Sequence, residues 1–129
     1  RRYQAIVHGV LKDDEGVIDA PIDRIAPDSF TRAVLPGGQR AVTRYRVEHI
    51  CGDVSLVRFF PVTGRTHQLR VHAAHIGHPI LGDDKYGDRA LNRRLGLRRQ
   101  QLWATRLVFH AGGALAYLDG KAFSVDCPF

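Results

Sequence analysis

The 129-residue sequence has no methionine, one tryptophan and two cysteines. Two cysteines, Cys51 and Cys127, are too few for the disulfide framework of a small secreted scaffold, and they read as reduced thiols. No apolar run approaches the roughly 20 residues that a membrane-crossing helix needs. No basic-then-apolar leader is visible. A cytoplasmic protein with no membrane partner is therefore expected. Lysine is also scarce: three lysines stand against 16 arginines. With no methionine, and with a strand pattern in "RRYQAIVHG" from the first residue, the chain reads as a piece of a longer protein.

What is present is an ordinary globular composition, 44% hydrophobic and 25% charged. It suffices for one core, and a single domain over residues 1–129 is expected. The net charge is +6. Because the cations are mostly arginine, whose fork matches phosphate oxygens and stacks on bases, the balance points to a polyanion partner, above all nucleic acid.

Alternating apolar and polar residues predict a strand over Tyr3–Gly9 and another over Ala41–Ile50, paired as a hairpin with Val54–Val62 through a Gly52-Asp53 turn. "GVIDAPIDR" carries a short strand and a proline, and reads as an edge or loop. Pro27–Arg40 reads as loop, closed by the turn signal "LPGGQR". A helix is expected over about 66–76. Its N-cap is Thr63 or Thr66, its stop is Gly77 before His78-Pro79, and Leu69, Ala73 and Ile76 form its buried stripe. Arg89–Gln101 reads as a basic helix or loop. Two or three strands are expected after residue 104, with a hairpin tip at Asp119-Gly120. The fold class is α+β: a mixed, mainly antiparallel sheet with packed helices.

The segment "GRTHQLRVHAAHIGHPILGDDKYG" concentrates His67, His72, His75 and His78 with Arg65 and Arg70. Helical geometry lets only His72 and His75 share an ion. The H-E-x-x-H pattern of zinc hydrolases is absent, and no cysteine pair stands nearby, so no metal site is expected. The remaining readings are hydrogen-bonded structural histidines, or one wall of a site for a polyanion. Arg70 lies off the apolar stripe, where its fork can take a carboxylate or a phosphate.

The stretch "FPVTGRTHQLRVHAAHIGHPILGDDKYG" resembles the signature segment of the RluA-type RNA pseudouridine synthases. The likeness extends to "RRYQAIVHG", "GVIDAPI" and "AVTRYRV". It also reaches "LWATRLVFH", where Trp103 stands at a position that is usually histidine in the family. The resemblance implies part of the pseudouridine synthase catalytic-domain fold, specifically its C-terminal portion. It implies isomerisation of uridines in ribosomal or transfer RNA, without cofactor or metal. It also implies that Tyr3 lies against the base and that Arg70 orients a nucleophilic aspartate. In the family that aspartate sits in an H-R-L-D segment ahead of the Tyr3-type strand, and no such string occurs in these 129 residues. The chain alone is therefore expected to be inactive, with Arg70 turned to solvent, an anion or another acidic residue. Arg65, His67 and Gln68 are expected to support the site, and Asp83 and Tyr86 to be structural. Arg89, Arg93, Arg94, Arg98 and Arg99 are expected to track RNA phosphates. The competing reading from another class is a non-catalytic RNA-binding module derived from the family.

Overall fold

The computed structural model describes residues 1–104. The strands expected downstream, with the tip at Asp119-Gly120, lie outside the described residues. Seven strands and two helices follow one another: β1 (Tyr3–His8), β2 (Glu15–Asp19), β3 (Ile22–Arg24), β4 (Arg32–Val34), β5 (Val42–Cys51), β6 (Val54–Pro61), α1 (Gln68–His75), α2 (Arg89–Arg94) and β7 (Leu102–Ala104). Five of the strands form an antiparallel sheet in the order β2-β5-β6-β1-β7, and β3 and β4 form a separate ribbon. This is the expected α+β architecture.

Alternation along the strands sends successive side chains to opposite faces. Ala5, Val7, Val57 and Phe59 form one cluster with Leu69 and Ala73 of α1, and Tyr3, Tyr45 and Ile76 pack against it. The intervening residues, Ile6, Val54 and Leu56, join Leu81 and Leu97 in a second cluster. The segment carrying α2 is therefore seated on the opposite sheet face from α1. A register shift between Val47 and His49 interrupts the alternation in the outer half of β5.

Pro27–Arg40 is not all loop, because Arg32–Val34 pairs with Ile22–Arg24. The ribbon holds because Ile22 and Val34 pack with Ala41, Val71 and Tyr86. Three-residue strands leave too short a pattern for alternation to be read. Cys51 is disulfide-bonded, and no cysteine among the described residues is free. For Cys51 this departs from the expected reduced thiol, and Cys127 lies outside the described residues. Pairing depends on spatial approach, which a count of cysteines does not reveal.

Helix α1 ends as expected. Gly77 takes φ +85°, its N–H reaches the Ala74 carbonyl, and the His78 N–H reaches that of Ala73. This is the double closure that a left-handed glycine permits. The start differs from expectation. The N-cap is His67, itself left-handed at φ 57°, with no side-chain cap bond. Thr63 is engaged elsewhere, accepting from the Val42 N–H and donating to Gln68 Oε1.

Beyond α1 the chain returns to the side of β1 opposite β6. The Leu81 N–H donates to the Ile6 carbonyl, the Ile6 N–H donates to that of Gln101, and the Gln101 N–H donates to that of Leu81. These three bonds close a ring at the two ends of the segment that carries α2.

Candidate active-site cleft

Strand β1 delivers Tyr3, the turn after β6 delivers Arg65, and α1 delivers His67, Gln68 and Arg70. All five line one cleft of about 230 Å³, together with Arg1, Pro61 and Leu102. Residues drawn from "RRYQ" and "GRTHQLR", some 60 positions apart, are thus brought together as expected.

Gln68 is buried and fully satisfied. Its Nε2 donates to the Val42 carbonyl and to Thr43 Oγ1, and its Oε1 accepts from Thr63 and from the Arg65 N–H. It therefore fastens the turn before α1 to β5, and Arg65 adds a bond from Nε to the Arg40 carbonyl. The chain of bonds continues inward. Thr43 accepts from Gln68, so its hydroxyl proton points to His72 Nδ1, while His72 Nε2 donates to the Ala20 carbonyl. Burial lowers the basicity of His72, partly offset by the Ala20 bond, and keeps the ring neutral. Both its nitrogens are occupied, so His72 is a core histidine. Among the described residues, no group of three or more His, Cys, Asp or Glu could hold a metal.

Arg70 turns to an acidic residue, the third of its expected fates. Its Nε and one terminal nitrogen meet the two oxygens of Asp83 at 2.9 and 2.8 Å. The Asp83 side chain is 0% exposed and that of Arg70 18%. Asp83 Oδ1 also accepts the amides of Lys85 and Tyr86. Burial opposes its ionisation, but the Arg70 bonds and these amides outweigh burial and hold its carboxyl below the usual carboxylate value. Arg70 is in turn made more basic, first through its hydrogen bond to Asp83. Of five guanidinium N–H donors, two are committed and three remain. The guanidinium carbon stands 5.1 Å from the centre of the Tyr86 ring. Such a cation–π seat further fixes its plane.

Tyr86 links this pair to His67. Its oxygen accepts the Arg32 N–H, so its proton goes to His67 Nδ1 at 2.7 Å. Burial, then the charges of Arg70, Lys85 and Arg32, push the His67 imidazole below its ordinary value, with Asp83 opposing. A neutral His67 with its proton on Nε2 follows. Asp83 and Tyr86 are therefore structural, as expected, but more than loop furniture: they aim Arg70 and His67. The spacing Asp83-x-Lys85-Tyr86, in which a carboxylate can accept the amides two and three positions on, is the signal that could have shown Asp83 as the organiser.

None of the five arginines expected to meet RNA lines this cleft. Arg89, Arg93 and Arg98 share a separate groove of about 590 Å³ with Asn92 and Leu97, and Arg94 and Arg99 are exposed. Asn92 bolts the groove to the cleft's support, accepting the Gly82 N–H and donating to the Asp83 carbonyl.

Comparison with known proteins bears on the family of the chain. The family model described as RNA pseudouridylate synthase matches residues 1–75. An uncharacterized RNA pseudouridine synthase of Bacillus subtilis (strain 168), YlyB, is 47% identical over 122 residues, covering 95% of this chain and 39% of the relative. The ribosomal large subunit pseudouridine synthase C of Escherichia coli (strain K12) is 38% identical, covering 98% of this chain and 40% of the relative. Among solved structures, human RNA pseudouridylate synthase domain containing 1 superposes with a TM-score of 0.68 at 33% identity, over 78% of this chain and 45% of that one. The chain spans about a third to two fifths of the length of the curated relatives it matches.

Proposed function

This chain belongs to the RNA pseudouridylate synthase family, of the RluA type, and from that premise we propose that it forms one wall of a uridine pocket in an enzyme isomerising uridines of ribosomal or transfer RNA in the cytoplasm. Making pseudouridine breaks the bond from C1′ to N1, turns the base and joins C1′ to C5. A uridine in a stack hides both atoms, so the nucleotide must be flipped out to enter a pocket. The observation that carries the reading is the shared cleft of Tyr3, Arg65, His67, Gln68 and Arg70. Tyr3 offers a ring on which a base can stack, a contact worth about 1–3 kcal/mol. Arg70, held by Asp83, keeps three N–H donors for a second carboxylate, the nucleophile, which a segment outside this sequence would supply. Arg65, His67 and Gln68 fix the cleft wall rather than react. Arg89, Arg93, Arg94, Arg98 and Arg99 attract the RNA backbone from the other groove. The chemistry needs no cofactor.

The test is tritium release from RNA labelled at uridine C5. The chain alone is expected to release none while binding RNA in a salt-sensitive way. Release is expected when an H-R-L-D segment is joined ahead of Arg1 in one polypeptide. Release by the chain alone would overturn the missing-nucleophile reading, since an aspartate within these 129 residues would then do the work. Arg70 already has a carboxylate partner, and this favours one alternative, a non-catalytic RNA-binding module. Failure of the joined chain to release tritium despite tight RNA binding would select it.

A further inference from the structure

A second pocket adjoins the cleft, and its chemistry is different. It encloses about 270 Å³ and is lined by Ile22, Asp23, Arg24, Arg32, Gln39, Arg65 and Thr66. Arg65 lines both cavities. Three arginines from three segments, β3, β4 and the turn before α1, therefore line one pocket.

The arrangement is costly for an empty ribbon. Arg24 and Arg32 are direct cross-strand partners, and like charges placed opposite each other destabilise a strand pair. No ion pair among the described residues compensates: none of the three arginines makes one. The one carboxylate of the lining, Asp23, spends Oδ1 on the Arg24 amide. Arg24 gives one N–H to the Pro27 carbonyl and Arg65 one to the Arg40 carbonyl, so most of their donors remain. Arg32 Nε is buried with no hydrogen-bond partner among the described residues. An unsatisfied buried donor costs about 1–3 kcal/mol until an acceptor arrives. Thr66 and Gln39 add a hydroxyl and an amide to the same wall.

We propose that this basket binds a phosphodiester of the RNA strand beside the uridine held in the neighbouring cleft. The proposal rests on the uridine-pocket reading and adds to it the place where the strand is gripped. A phosphodiester carries one negative charge on two free oxygens, which is the acceptor geometry that arginine forks match. The shared Arg65 puts the grip next to the base pocket, so one nucleotide can engage both. The contact positions the strand and reads no base.

The test is the salt dependence of binding to a uridine-containing single-stranded RNA, with tritium release by the H-R-L-D-joined chain run in parallel. Each lost phosphate contact lowers the slope of log K against log salt by about 0.7 to 1. Arg24→Ala and Arg32→Gln are each expected to lower the slope by part of that amount, and the double variant by the whole of it. Arg24→Lys is expected to keep most of the slope; a loss equal to that of Arg24→Ala would show a disrupted ribbon and overturn the charge argument. An unchanged slope in the Arg24/Arg32 double variant, with RNA binding intact, would overturn the proposal and leave the uridine-pocket reading standing. Saturable displacement of the RNA by inorganic phosphate at matched ionic strength would make the basket a free-phosphate site instead. Absence of both RNA binding and tritium release in the parent would remove the uridine-pocket reading, and the grip with it.

Discussion

Arg70 and Asp83 show how much one residue pair decides here. Asp83 is a fully buried carboxylate whose ionisation is sustained by Arg70 and two amides. Removing one member of such a pair typically costs about 3–5 kcal/mol, because the other charge is left unpaired. Partial exposure of Arg70 places Asp83→Asn toward the low end, about 3 kcal/mol, measurable by urea unfolding. The pH dependence has a definite sign. A depressed carboxyl contributes stability that is complete above its unfolded value of about 4 and lost as pH falls through the lower folded value. The lowered imidazoles of His67 and His72 act in a higher window. Their neutral folded forms lose stability as pH falls below about 6.5, until the lowered folded values are passed. Unfolding free energy should therefore decline in two stages on acidification, and Asp83→Asn should erase the lower one. The motif around Arg70 was legible in the sequence as a polar wall. Its partner was not, because Asp83 comes from a loop whose path depends on tertiary packing.

At the scale of elements, glycines report where the backbone has no freedom. Gly77 and Gly82 both have positive φ, yet their surroundings differ. A Cβ at Gly77 would meet nothing within 4 Å, whereas one at Gly82 would overlap the Arg99 carbonyl. Gly77→Ala should cost about 1 kcal/mol, the strain of a left-handed residue alone. Gly82→Ala should cost several times as much, since the backbone at Arg99 must move as well; chemical denaturation of both variants checks the ratio. The stop of α1 was legible because glycine before His-Pro is a local signal. Its start was not. Thr63 is a good capping residue by type, but Val42 and Gln68 claim it across the fold. The β3–β4 ribbon was missed for a similar reason: three residues per strand carry no period, and their partners Ala41 and Val71 lie elsewhere in the chain.

Across the whole molecule, arginine is spread over both sheet faces, so its expected partner can be engaged from more than one side. The long strands β1, β5 and β6 were readable because alternation over many residues is a strong signal. The separation of the α2 arginines from the cleft was not, since only the two alternating clusters reveal which face each helix covers. Replacing Arg89, Arg93 and Arg98 together by alanine should weaken RNA binding at low salt and flatten its salt dependence. Thermal stability should hardly change, because all three side chains are exposed; filter binding beside a thermal melt separates the two effects.

The ring of bonds joining Ile6, Leu81 and Gln101 gives this geometry an evolutionary reach. It ties the exit and re-entry points of the α2 excursion to each other and to the sheet. Lengthening a loop whose ends are already tied costs only about 0.6 kcal/mol per doubling. The exposed turn of this excursion can therefore lengthen while Tyr3 and Arg70 keep their places. The surface carried by this excursion can then change in charge and shape while the cleft on the other sheet face is left as it is.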